Sequence, residues 1–165
     1  MYDREAVLEH LKQLGVSFEE IRHPAVFTVE EMDKLGINQQ GMICKNLFLR
    51  DAKGKNHFLA VVREDKRADL KSLSEKLGSS HLSFASEERL MKYLGLTKGS
   101  VTPLGVLNDE GRAVTVIFDN DLRFEKRLGV HPNDNTATLW ISFDDLKRVV
   151  ENHGNKIVMM GFSKE

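Results

Sequence analysis

The sequence has 165 residues, of which 41% are hydrophobic and 30% charged, and its formal net charge is -1 at neutral pH. That length and balance suit one soluble globular domain with a single buried core, spanning residues 1–165. They exclude a globally basic nucleic-acid binder, and the single cysteine, Cys44, excludes an intrachain disulfide or a Cys-rich zinc site.

The opening residues, MYDREAVLEHL, are amphipathic, with no apolar signal core. Residues 3–14 read as a helix, with Val7, Leu8, Leu11 and Leu14 at helical spacing and Gly15 as its stop. VSFEEIRH then alternates as a half-buried strand does. His23-Pro24 marks a break, because a residue before proline avoids the helical region. Thr28 and Glu31 form a capping box, which predicts a short helix ending at Gly36.

KNLFLRDAKGKNHFLAVV reads as a hairpin, with two apolar runs flanking a polar turn at Gly54. Leu70, Leu73 and Leu77 predict a helix stopped by Gly78. Ser86 caps a second helix that runs to Gly95, with two glutamates in its first turn. SVTPLGVLND reads as a loop followed by a short strand. AVTVIFD and NTATLWIS read as strands. Ser142 caps a helix over FDDLKRVVENH, and NKIVMMGF closes as a strand. Strands and helices alternate irregularly, so the expected fold is α+β, with a curled, mixed sheet and helices packed outside it. No run approaches the roughly 20 apolar residues of a membrane span, so we expect a cytoplasmic protein without a membrane partner.

Phosphate-loop, dinucleotide-fingerprint, zinc-protease and serine-elbow motifs are all missing from the sequence. The histidines are scattered away from metal-ligand spacing, so no metal is expected. Cys44 is either a nucleophile or a packed strand residue. Beside it, Lys45 and Asn46 precede an apolar run. They are either a solvated strand end or a cation and an amide lining a pocket for an ester or carboxyl-like substrate. GSVTPLG contains Gly99, Ser100, Val101, Thr102 and Pro103; it is either an ordinary turn or a loop offering backbone amides to an anion. In GVHPNDNTAT, His131 is either a surface residue or a proton carrier. Arg63, Lys66, Arg67 and Lys71 form a basic run that either faces phosphates or coats a solvated helix among acidic neighbours.

Four stretches, HPAVFTVEE, KNLFLRD, GSVTPLG and GVHPNDNTATLWIS, resemble in order and spacing the YbaK-like family of prolyl-tRNA editing proteins. The likeness is greatest to its freestanding branch, which clears alanine from proline tRNA. The resemblance covers residues 23–146 by motif. It implies a curled, largely antiparallel mixed sheet or partial barrel with surrounding helices. It implies a deacylase for mischarged tRNA(Pro), with no cofactor and no DNA partner, and prolyl-tRNA synthetase as a candidate docking partner. Carried over by position, it places Lys45 at the terminal adenosine and its phosphate with Asn46 as its neighbour, the Gly99–Pro103 loop at the aminoacyl carbonyl, and His131 in the late motif. A ribose hydroxyl of the substrate then helps to activate water, and no protein nucleophile is used. Exclusion by size follows from such a mechanism, and Met32, Leu35 and Val130 are the expected pocket walls. The cysteinyl branch shares the lysine and the glycine loop. Deacylation of a cysteinyl or seryl ester, or tRNA binding without catalysis, therefore stays open.

Overall fold

The computed structural model describes residues 1–164. Its helices are α1 (Arg4–Gln13), α2 (Val29–Lys34), α3 (Leu70–Leu77), α4 (Glu87–Leu94) and α5 (Phe143–His153). Its strands are β1 (Glu19–Arg22), β2 (Met42–Arg50), β3 (His57–Arg63), β4 (Lys66–Arg67), β5 (Ser83–Phe84), β6 (Val114–Asp119), β7 (Leu128–Val130), β8 (Ala137–Ile141), β9 (Ile157–Met160) and β10 (Ser163–Lys164). The hydroxyls of Thr28, Ser86 and Ser142 cap α2, α4 and α5 as the sequence predicts. Asp69 caps α3 in the same way, its carboxylate accepting from the Lys71 and Ser72 amides.

The main sheet has the order β1-β8-β7-β2-β3-β6-β9, with β5 also paired to β2. The hairpin around Gly54 is its antiparallel centre, running from Cys44 opposite Arg63 to Arg50 opposite His57. β1–β8 and β7–β8 are antiparallel as well, whereas β2–β7, β3–β6 and β6–β9 are parallel. The sheet is therefore mixed, as expected, and open: among the described residues no pairing joins β1 to β9.

The period of two along the central strands builds a core on each face. Leu59 and Val61 of β3, with Val114, Val116 and Phe118 of β6, enter the larger core beneath α1, α4 and α5. The intervening Ala60, Val62 and Ile117 enter a smaller core under α3. A third cluster, of Val26, Met32, Ile37, Ile43 and Trp140, lies under α2. Fully burying a Leu, Val or Phe contributes roughly 1.5–3 kcal/mol, so the two large cores hold the sheet while the third shapes a site.

One expectation fails. The strand predicted after SVTP is a 3-10 helix, Pro103–Asn108. Pro103 fixes the φ that a helical first turn needs and has no N–H to give a sheet. The Thr102 hydroxyl accepts from the Leu104 amide, and Leu104, Val106 and Leu107 are buried in the larger core. The apolar run is thus satisfied by packing and does not join a strand ladder.

Candidate active site

The site arises where the sheet splits. One edge of β2 is covered by β3 along residues 44–50. On the opposite edge, β7 pairs only with Met42 and Ile43, and β5 only with Leu49 and Arg50. Phe48 is met there only by the Ala85 amide, which donates to its carbonyl at 3.0 Å; among the described residues, 44–47 meet no strand on that side, and the 99–101 loop crosses the gap. The Asn46 amide Nδ2 donates to the Val101 carbonyl at 3.2 Å.

The other motifs are joined to this loop by further hydrogen bonds. The Thr102 hydroxyl donates to the His131 carbonyl at 2.6 Å. The late motif then meets the first His-Pro segment: the His23 amide donates to the Thr136 carbonyl and the Val26 amide to the Asn135 carbonyl. The Asn135 side chain returns a bond to the Val26 carbonyl at 2.8 Å. Segments more than 100 residues apart in sequence thus close around one pocket of about 220 Å³.

That pocket brings together Lys45, Asn46, Gly99, Val101, Val130, His131 and Met32 of the residues singled out from the sequence. Val26, Ile43 and Cys44 add apolar wall. Gly129 lets β7 approach this closely, because a Cβ there would stand 2.4 Å from Ile43 Cδ1 and 2.7 Å from a Trp140 ring carbon. Gly99 has φ +93°, a conformation that side chains rarely adopt. Phe27 packs against it and forms part of the rim.

The groups in the pocket differ in what they can do. The Lys45 ammonium donates to the Lys66 carbonyl and brings a positive charge to the lining. Asn46 Oδ1 is buried and has no hydrogen-bond partner among the described residues. Leaving such an acceptor unmet costs about 1–3 kcal/mol, so it is built to accept from a bound molecule or water. The Ser100 amide is used within the loop, on the Thr97 carbonyl. That leaves the Gly99 and Val101 amides as the loop's candidate donors to an anion.

His131 Nδ1 donates to the Ala137 carbonyl at 2.8 Å, so the neutral ring keeps its lone pair on Nε2. Burial pulls its pKa below the usual histidine value, and the bond to Ala137 only partly opposes this. His23 sits beside it, with ring centres 6.2 Å apart, and is fixed by Pro24 and by the Thr138 hydroxyl. The Cys44 thiol is pushed up to about 12 by burial and by the carboxylates of Glu64, Asp119 and Glu125. It stays a protonated, packed thiol, the second of the two readings open in the sequence.

Other sequence candidates fall outside the pocket. Ser100, Thr102 and Pro103 are buried behind the loop as its support. Leu35 does not line the pocket; it ends α2 with its side chain in solvent. The basic run is divided between buried or paired cations and exposed ones. Lys66 is 2% exposed, and its ammonium bonds Asp121 at 2.7 Å, Asp119 at 3.3 Å and the Phe162 carbonyl at 2.9 Å. Arg63 is paired with Asp65 and Glu125, both at 3.0 Å. Arg67 and Lys71 are exposed, and Arg67 borders a separate groove beside α3 and β10. Residues that sequence reasoning missed are Val26, Phe27 and Thr138, which lie within the motifs, and Ile43, two residues before one; that position was their only signal. Among the described residues no cluster of His, Cys, Asp and Glu could hold a metal ion, and no helix is long and apolar enough to cross a membrane.

Residues 23–149 match the sequence model of the aminoacyl-tRNA editing domain. The chain is 51% identical over 152 residues to the prolyl-tRNA editing protein ProX of Acetoanaerobium sticklandii, covering 92% of this chain and 93% of that one. It is 38% identical to the prolyl-tRNA synthetase associated domain-containing protein 1 of Danio rerio, over 96% of this chain and 87% of the other. In fold it matches the crystal structure of a candidate trans-editing enzyme for prolyl tRNA synthetase, with a TM-score of 0.72 at 19% identity, over 100% of this chain and 99% of that one.

Proposed function

The chain belongs to the aminoacyl-tRNA editing domain family, and from that premise we propose that it hydrolyses the ester of mischarged tRNA(Pro), with alanine as the acyl group removed. The observation that carries this reading is the convergence of Lys45, Asn46, Gly99 and His131 on one small pocket with an apolar wall. The relative's name supplies the tRNA, and the pocket supplies the chemistry.

In this reading the acyl group enters the pocket and the terminal ribose stays at its mouth. Water attacks the ester carbonyl carbon, the carbon–oxygen bond to the ribose breaks, and the ribose oxygen takes a proton. The Gly99 and Val101 amides face the oxygen that gains charge, which is where fixed donors lower a barrier most. Lys45 holds the negatively charged nucleotide end. Asn46 Oδ1 accepts from the α-ammonium or a ribose hydroxyl, and His131 Nε2 orients or takes the proton of the other hydroxyl or of water. No protein nucleophile is needed, consistent with a protonated Cys44. An activated ester needs mainly positioning and oxyanion stabilisation.

Selectivity is steric. Val26, Met32, Ile43 and Val130 are all at most 5% exposed, so the wall they form cannot swell to take a larger ring. Alanine fits such a pocket, and proline adds methylenes that it must overpack. The test is a panel of alanyl-, prolyl-, cysteinyl- and seryl-tRNA incubated with purified protein while ester loss is followed. Turnover of the alanyl ester with sparing of the prolyl ester supports the reading. Preference for the cysteinyl or seryl ester moves the specificity, and salt-sensitive binding with every ester intact overturns the enzymatic reading.

A further inference from the structure

Between the gap in the β2 edge and β5, where the Ala85 amide donates to the Phe48 carbonyl, lies a second depression. Beyond Asn46, a cavity of about 460 Å³ is lined by Leu47, Phe48, Phe84, Leu90 and Lys98, among others. Asn46 and Val101 line both cavities, so the two share a wall made by the Asn46–Val101 hydrogen bond. The second cavity is mostly apolar, yet it is not closed by the core. Phe84 stands at it with 62% of its surface exposed, on a strand of only two residues. Among the described residues no other aromatic ring packs on it. Lys98, exposed, precedes Gly99 in the loop and belongs to the same cavity, as does Glu87.

We propose that this cavity receives the nucleobase next to the terminal adenosine, stacked on Phe84, during deacylation. The inference rests on the function proposed above. An acyl group in the first pocket fixes the terminal ribose at its mouth, and the single-stranded 3′ end must leave across an adjoining surface. The second cavity adjoins through Asn46 and Val101, offers a flat apolar ring, and has an ammonium beside the loop where the linking phosphate passes. Aromatic rings accept any base in this way, since every base has a π-face. Phe84 is then a specificity element for an ester on a polynucleotide as against an ester on a single nucleoside.

The test compares two substrates, alanyl-tRNA(Pro) and 3′-O-alanyl-adenosine, with the wild type, Phe84→Ala and Phe84→Trp. Phe84→Ala is expected to raise KM for the tRNA ester roughly tenfold, the size of one lost base stack, with kcat little changed. Its rate on alanyl-adenosine stays at the wild-type value, and Phe84→Trp restores KM for the tRNA. An unchanged KM for the tRNA, or equal losses on both esters, overturns the inference while leaving the deacylase reading in place. That second reading fails separately, if the wild type hydrolyses neither ester. A face that docks a protein partner instead predicts no effect of Phe84→Ala on free tRNA, which is the first overturning result.

Discussion

The hydroxyl of Thr102 donates to the main-chain carbonyl of His131 at 2.6 Å, and Thr102 itself is fully buried. This single bond fastens the glycine loop to the late motif across 29 residues of sequence. Thr102→Val keeps the shape and removes the donor, leaving a carbonyl unmet. Such a loss costs about 1–3 kcal/mol. We expect a lower denaturation midpoint together with a reduced kcat, because the loop amides and His131 lose their common anchor. Thr102→Ser, which keeps the hydroxyl, should recover most of the kcat; a serine variant no better than the valine one removes the positioning role.

Gly99→Ala tests the loop differently. The residue has φ +93°, and an added Cβ would lie 2.5 Å from Phe27 Cδ1. Both the dihedral and the contact oppose the substitution, the first by roughly 1–2 kcal/mol. Deacylation should fall with little change in overall fold by circular dichroism. Combining it with Phe27→Ala relieves the contact and not the dihedral, so recovery should be partial. Full activity in Gly99→Ala alone would show that the loop's amides are not placed by this geometry.

Histidine burial sets the behaviour in acid. Burial pulls His131, His57 and His10 below the usual value of 6.5 in the folded state. The unfolded chain therefore binds more protons as pH falls from about 6.5 through the folded values, and stability contributed above 6.5 is lost over that window. Glu64, pushed up by burial, acts in the opposite sense above about 4.5. Urea midpoints of the wild type and His131→Gln at several pH values separate the two, because Glu64 is common to both proteins. The wild type should lose more stability between pH 7.5 and 5.5 than the variant, and parallel curves would contradict a buried, neutral His131.

Lys66 is a structural ion. Burial works against its charge, but the hydrogen bonds to Asp121 and Asp119 outweigh this and hold its pKa above the usual value. Its bond to the Phe162 carbonyl also ties down the chain next to β10. Lys66→Met leaves Asp119 buried without its cation, a change that costs about 3–5 kcal/mol in buried pairs. Calorimetry should show a large fall in Tm, with the salt dependence of tRNA binding unaltered. Lys71→Ala, on the exposed first turn of α3, should leave Tm within about 1 °C, in line with surface changes. Equal, small effects from both would put Lys66 back on the surface.

Much of this architecture is written locally. Thr28, Ser86 and Ser142 announce their helices because a short hydroxyl side chain is what a first turn requires, and the Gly54 turn sets the β2–β3 register. The parallel pairings of β3 with β6 and of β2 with β7 are not legible, since nothing local to either strand names its partner. The three residues of β7 are too few to show a period. The site is legible to a similar degree. Lys45 and Asn46 stand out because a charge and an amide are unusual at the start of an apolar strand. Lys66 reads in the sequence as one of a basic run, and only the distant Asp119, Asp121 and Phe162 show that it faces inward. Val26 and Phe27 reach the pocket through bonds and packing to segments that sequence distance hides.

The pocket at the split in the sheet is the proposed seat of ester hydrolysis. That assignment is tested most directly by the single-turnover rate of ester loss from alanyl-tRNA(Pro), measured side by side for the wild type and Lys45→Ala, with matching circular dichroism spectra. Rapid loss is expected with the wild type and a rate roughly 10²-fold lower in the variant, the scale on which misplacing a bound substrate slows a positioned reaction. A folded Lys45→Ala protein that clears the ester at the wild-type rate would contradict the assignment.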